Sequence, residues 1–142
     1  MIAAENDLIP GGKVGGIGDV IRGLPPALVG EGAEVSVIVP SYGAFHERPR
    51  TRALRAFAMP FGGTLERIEL HELTELSTAG VRQYVLHHPA FAIGGKGVVY
   101  CDDPPERPFA RDATKFALFC AAALTAVRDG DLGELDVLHL HD

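Results

Sequence analysis

Apolar residues recur at helical spacing in two places and cluster in short β-branched runs elsewhere. From Ile17 onward, Ile17, Val20, Ile21, Leu24 and Leu28 fall at three- and four-residue steps, one face of an α-helix. Pro25 and Pro26 interrupt that face, since each lacks an N–H and crowds the carbonyl one turn back. A kink or restart is expected there, with the helix ending at Gly30 or Gly32. Residues 109–128 predict a second helix, alanine-rich and apolar almost all round, and hence largely buried. "EVSVIVP", residues 34–40, is a continuous β-branched run stopped by proline, the pattern of a strand covered on both faces. Residues 1–4 read as the stub of another strand. Stub, first helix and buried strand form a βαβ unit whose crossover is expected to be right-handed. "ALRAFAMPF" (53–61) and "ERIELHEL" (66–73) predict a hairpin turning near Gly62-Gly63, although helix also fits the second run. "VRQYVLHH" (81–88) predicts a strand, and "VLHLHD" (137–142) a last one, fed by the turn "DGDLGELD". Residues 41–52, "AIGGKG" (92–97) and "CDDPPERP" (101–108) read as loops.

Composition narrows the classes. A chain of 142 residues is one ordinary domain, and 46% apolar with 23% charged residues is globular. A net charge of −6 argues against nonspecific nucleic-acid binding. It leaves room for a local basic pocket with one anionic ligand. Cys101 and Cys120 are too few for a disulfide scaffold, and read as buried or half-buried thiols of a reducing cytoplasm. No basic segment with an apolar run behind it opens the chain, so no signal peptide is expected. The longest apolar run, Phe116–Val127, is too short to span a bilayer.

The chemistry centres on "PGGKVGGIGDV", residues 10–20. It fails the dinucleotide fingerprint: Gly16 and Gly18 supply the first two glycines, but Ile21 stands at the third position. It fails the P-loop too, because Lys13 precedes the glycines. What remains is a lysine followed by Gly15-Gly16 at a helix N-terminus. Unpaired amides and the helix dipole favour an anion there, and glycines let it come close. Lys13 adds a mobile charge, and Asp19 lies in the first turn, where a carboxylate is favoured in any case. A flexible turn with a solvated lysine fits the same residues.

Further along, His139 and His141 alternate and so share one face at the carboxyl end of the last strand, where open α/β sheets keep their ligands. His141 is the better site candidate; His139 also suits a structural role. A His-x-His pair suits a metal, but a third ligand is lacking nearby. His87 and His88 end another strand and fit the same rim. Arg50, Arg52 and Arg55 gather in "PRTRALR" (49–55), read as a loop of solvated charge or a ligand contact.

"KVGGIGDV" followed by "LPPAL", then "DATKFALFCAAAL" (112–124) and "DVLHLHD" (136–142), resemble three ordered motifs of the bacterial glycogen synthase and plant starch synthase family. The departures are few: Ile17 for Leu, Ala113 for Asn, Lys115 for Arg, and a divergent "AIGGKGVVYCDD" that leaves Lys96 without a counterpart. The resemblance implies a Rossmann-like α/β domain, three layers on a mostly parallel sheet, forming the N-terminal, acceptor-side portion of a GT-B glycosyltransferase. On this reading residues 1–142 are that portion, and the C-terminal nucleotide-binding domain is absent. The implied reaction is retaining transfer of glucose from ADP-glucose or UDP-glucose to the non-reducing end of an α-1,4-glucan, in the cytoplasm. It needs neither metal nor other cofactor, and involves no nucleic acid or membrane. The resemblance places Lys13, Gly15 and Gly16 at the donor diphosphate and Asp19 at acceptor hydroxyls. It adds Asp112 and His141 as catalytic groups and His139 as a binding one. The chain alone is expected to be inactive, with an inter-domain face open to self-association. A non-catalytic carbohydrate-binding or regulatory module of the same fold is the alternative, as is another nucleotide-sugar transferase such as a sucrose-forming enzyme.

Overall fold

The structure is a computed structural model describing residues 1–141. Asp142, the end of the "HLHD" motif and of the predicted last strand, lies outside the described residues. Four strands form one sheet: β1 (Val35–Pro40), β2 (Thr51–Phe61), β3 (Thr64–Leu73) and β4 (Val81–His87), in the order β1-β4-β3-β2. Helices α1 (Gly16–Gly30) and α2 (Ala110–Arg128) cover its two faces.

Alternation along the strands builds the three layers. Val35, Val37 and Val39 of β1 and Val81 and Val85 of β4 pack with Ile21 of α1. Ile38, Tyr84 and Leu86, pointing the other way, pack with Leu118, Phe119 and Ala122 of α2. β1 is therefore covered on both sides, which is why its sequence carries no polar alternation. β1 and β4 pair in parallel, whereas β4–β3 and β3–β2 are antiparallel. Ile2 adds single parallel bridges to Ile38 and Leu140. Every line of the sheet except β3 runs the same way, the mostly parallel arrangement expected.

The hairpin is present, and β3 settles the helix-or-strand ambiguity of residues 66–73 in favour of strand. Gly62 (φ +58°) and Gly63 (φ +84°) both sit in left-handed backbone, which a two-residue turn between twisted strands requires. α1 ends at Gly30 as expected but does not restart at the prolines; Pro25 and Pro26 lie inside one continuous helix. Of the strands foreseen at 1–4 and 137–142, the described residues keep one bridged residue each, Ile2 and Leu140. Among the described residues, four backbone bonds hold this stretch between its neighbours: Ile2 to His139, His141 to Ile2, Ala3 to Ile38 and Ile38 to Met1.

Two further expectations change. α2 is not buried all round: Leu118, Phe119, Ala122, Ala123 and Ala126 face the sheet, while Leu124 is 60% exposed. Alanine is small and apolar enough to sit on either side, so its abundance hid the division. Arg52 belongs to β2 rather than to the loop expected at 41–52, Arg55 lies in the strand expected at 53–61, and both are paired. Arg52 meets the buried Glu72 at 2.5 Å, and Arg55 holds Asp131 at 2.7 Å and Asp129 at 2.9 Å, tying β2 to the turn after α2.

Candidate active-site loop

The parallel strands bring their carboxyl ends to one edge, and the glycine loop is fastened there. The Tyr42 hydroxyl, just beyond β1, donates to the carbonyl of Ala4 at 2.7 Å. The next residue, Glu5, is 2% exposed. Its Oε2 accepts the N–H groups of Val14 (2.8 Å) and Gly15 (2.6 Å), and its Oε1 accepts the Tyr100 hydroxyl (2.9 Å). Burial alone would raise the Glu5 pKa, but these donors, with the Gly18 amide, outweigh it and hold the carboxyl below the ordinary glutamate value.

The glycines divide by purpose. A Cβ on Gly12 would lie 2.6 Å from the Asn6 carbonyl, and one on Gly18 2.9 Å from Cγ of Lys13. Those two glycines exist because the loop folds tightly on itself. Gly15 and Gly16 are exposed, and a Cβ on Gly16 would meet nothing within 4 Å. Gly16 thus keeps the open approach that the sequence suggested, whereas the Gly15 amide already has a carboxylate partner. Gly12→Ala is expected to destabilise the domain by about 1–3 kcal/mol through this backbone clash, read as a lower urea midpoint.

Lys13 points outward from this frame, its Nζ 2.5 Å from Oδ1 of Asp19, with both side chains well exposed. The hydrogen bond to Asp19 raises the Lys13 pKa, so the ammonium stays charged at neutral pH. Arg22 pairs with Asp7 alongside at 2.9 Å. The structure therefore gathers Lys13, Gly15, Gly16 and Asp19 on one loop and the first turn of α1.

Asp112 lies elsewhere, in the interior. It is 5% exposed and sits 2.7 Å from Nζ of Lys115, which is 1% exposed. Asp112 also accepts the Cys101 N–H through both oxygens (3.1 and 3.0 Å), and Lys115 donates to the Val99 carbonyl. The Lys115 ammonium lies 4.8 Å from the Phe116 ring centre and 5.5 Å from that of Tyr42. This pair pins the 99–101 segment onto α2. Cys101 is half-buried, as expected, with its thiol pKa raised first by burial; Cys120, on the outer side of α2, is exposed instead.

His139 and His141 do share a face, their rings stacked 4.2 Å apart. His139 is exposed, while His141 is half-buried, with its Nε2 unpartnered among the described residues. Burial, with His139 and the N-terminal amine as neighbours, lowers the His141 pKa. Among the described residues neither histidine bonds to Lys13, Asp19 or Asp112.

His87 and His88 part company at the end of β4. His88 pairs with Glu66 at 3.0 Å, and His87 bonds Ser41 Oγ at 2.9 Å. His46 stacks on His87 at 3.6 Å, with the His71 ring 5.7 Å from His46. Burial and then the neighbouring imidazoles lower the His46 pKa; burial likewise leads the lowering at His87. A depressed histidine pKa means that the folded state takes up protons later than the unfolded chain. Their contribution to stability is complete above the ordinary histidine value of 6.5 and is lost as pH falls through the folded values. Thermal unfolding between pH 7.5 and 5 is expected to show a falling midpoint, flattened in His46→Phe. Among the described residues, no group of three His, Cys, Asp or Glu side chains is placed to hold a metal ion. Nor is any helix there long and apolar enough to cross a membrane.

Sequence reasoning missed Glu5 and Tyr100 as parts of this edge, and it placed His87 there without His46 and His71, which complete the cluster. For Glu5 the available signal was an acid placed directly after the strand stub and ahead of the glycine loop. The histidines come from three separate segments, and no spacing connects them.

Comparison with known proteins agrees with this architecture. The family model described as starch synthase catalytic domain matches residues 1–142. A glycogen synthase of Exiguobacterium sibiricum is 34% identical over 98% of the chain, and one of Granulibacter bethesdensis is 32% identical over all of it. The granule-bound starch synthase 1 of Zea mays is 31% identical over 86% of the chain. The chain spans only 27%, 28% and 20% of these relatives, respectively. With the family match running from the first residue to the last, the chain belongs to the starch synthase catalytic-domain family of glycosyltransferases.

Proposed function

We propose that this chain supplies the Lys13-bearing, acceptor-side wall of a retaining glucosyltransferase that extends α-1,4-glucans from ADP-glucose or UDP-glucose. The observation that carries this reading is the exposed Lys13–Asp19 pair on a rigidly fastened loop at the carboxyl edge of the parallel strands. Glycosyl transfer from a nucleotide sugar must stabilise a departing diphosphate while the sugar acquires oxocarbenium character. A fixed ammonium does this without a metal, and preorganised charge needs little reorganisation as the bond breaks. Asp19 holds Lys13 extended in the absence of ligand and is free to turn to acceptor hydroxyls when phosphate oxygens take the ammonium. The open backbone at Gly16 lets the diphosphate approach. With the Gly15 amide occupied by Glu5, Gly15 contributes bare backbone rather than a donor.

His141 and His139 are assigned to the sugar side of the same edge, the half-buried His141, whose Nε2 has no partner among the described residues, as the better candidate of the two. Asp112 acts on this reading through the segment it pins. The nucleotide and most sugar contacts come from a C-terminal domain beyond these residues, so the chain by itself binds weakly and transfers nothing. The site is read as working in the cytoplasm, with a glucan and a nucleotide sugar as its partners and no metal.

The test is radiolabelled glucose transfer by a protein that joins this chain to a nucleotide-binding domain of the family. Incorporation into glycogen from ADP-glucose or UDP-glucose supports the proposal, and the faster donor identifies the nucleotide. Label appearing only in sucrose with fructose as acceptor, or glycogen binding with no transfer from either donor, overturns it in favour of a sucrose-forming enzyme or a carbohydrate-binding module.

A further inference from the structure

We infer that Glu5 and Tyr100 are positioning residues for Lys13, forming a clamp that joins the glycine loop to the segment anchored on α2. The inference deepens the reading of Lys13 given above and rests on it for its functional meaning. The amides at the start of α1 are the place where a ligand anion is ordinarily sought. Here the Val14 and Gly15 amides are taken by a carboxylate of the chain itself, 2% exposed and accepting from both through one oxygen. An anion that comes from within stays put when ligand arrives, so it serves to hold the backbone immediately after Lys13.

The second oxygen of Glu5 extends the clamp. It accepts the Tyr100 hydroxyl, and Tyr100 lies between two residues fixed to α2. The Val99 carbonyl takes Lys115, and the Cys101 N–H reaches Asp112. The tyrosine therefore cannot follow the glycine loop if that loop shifts. Gly94, Gly95 and Gly97 lie just upstream and would otherwise leave the segment free to drift. A continuous set of contacts runs from α2 through Tyr100 and Glu5 to the backbone that aims the lysine. Gly18 closes the frame, because any side chain there would strike Lys13.

Two near-isosteric variants test this in the 142-residue chain. Tyr100→Phe removes only the hydroxyl, and Glu5→Gln keeps the shape without the charge. By NMR, amide exchange at Val14 and Gly15 is expected to rise about tenfold in each, the loss of one partly buried hydrogen bond. The Lys13 ammonium, followed through its Cε resonance, is expected to titrate closer to an ordinary lysine as its bond to Asp19 loosens. The thermal midpoint serves as the control, and both variants are expected to keep it close to that of the parent. Unchanged exchange and unchanged Lys13 titration in both overturn the clamp. So does faster exchange spread evenly over the sheet, which would report general destabilisation. Inorganic pyrophosphate, titrated separately into the parent and Lys13→Ala, tests the diphosphate reading alone. If Lys13 resonances ignore pyrophosphate while the two clamp variants behave as expected, the clamp stands and the diphosphate role falls.

Discussion

Lys115→Met is expected to lower the unfolding free energy by about 3–5 kcal/mol, because it leaves the Asp112 carboxylate buried without its counter-charge. That is a large share of the roughly 5–15 kcal/mol that holds a domain of this size together. The pair has little access to water: the Lys115 side chain is 0% exposed and that of Asp112 7%. Methionine fills most of the space of the lysine stem, so the loss is electrostatic rather than a cavity. Asp112→Leu combined with Lys115→Met should recover much of the difference, since a well-packed apolar pair often matches a buried ion pair. Urea denaturation of the two variants and the parent checks both statements. A single Lys115→Met chain as stable as the parent would show that Asp112 is not confined as its contacts indicate.

Lys13→Ala is expected to lower glucose transfer by about 10²–10³-fold, the usual effect of removing one preorganised donor from a developing charge. The side chain is well exposed and among the described residues bonds only Asp19, so the urea midpoint should stay where it was. Lys13→Arg keeps the charge but offers a planar fork in place of a compact ammonium, and an intermediate rate is expected. The measurement is initial-rate incorporation of labelled glucose into glycogen by the chain joined to a nucleotide-binding domain of the family. Wild-type rates in Lys13→Ala would remove the lysine from the proposed mechanism.

The elements were legible where side-chain periodicity and burial coincide. β1 carries Val, Ile and Val because both helices cover it, and the hairpin declares itself through two glycines that only left-handed backbone requires. Where a residue suits either environment, the pattern goes quiet. The alanines of α2 concealed its outer face, and the arginines of β2 looked like loop charge because their partners, Glu72, Asp129 and Asp131, lie 20 or more residues away in sequence. The loop itself was found from its lysine and glycines. What held it was not, since Glu5 and Tyr100 are 95 residues apart and meet only because β4 brings the intervening chain back to the same edge. Asp112 shows the same limit from the other side. A first-turn acid looks identical in sequence whether it faces a cleft or a buried lysine.

The two prolines inside α1 also bear on the order in which the molecule assembles. Pro25 and Pro26 cannot donate to the carbonyls of Ile21 and Arg22, and each proline within a helix costs about 3 kcal/mol relative to alanine. A helix of 15 residues is already marginal in water without such losses. α1 thus has no independent existence: it becomes helical when Ile21 finds the valines of β1 and β4, and an excised peptide of residues 14–32 should be a coil by circular dichroism. The glycine loop enters α1 directly, so it acquires its shape only after strands distant in sequence have paired. The candidate edge is then expected among the last parts of the chain to form, and among the first to open when the sheet loosens.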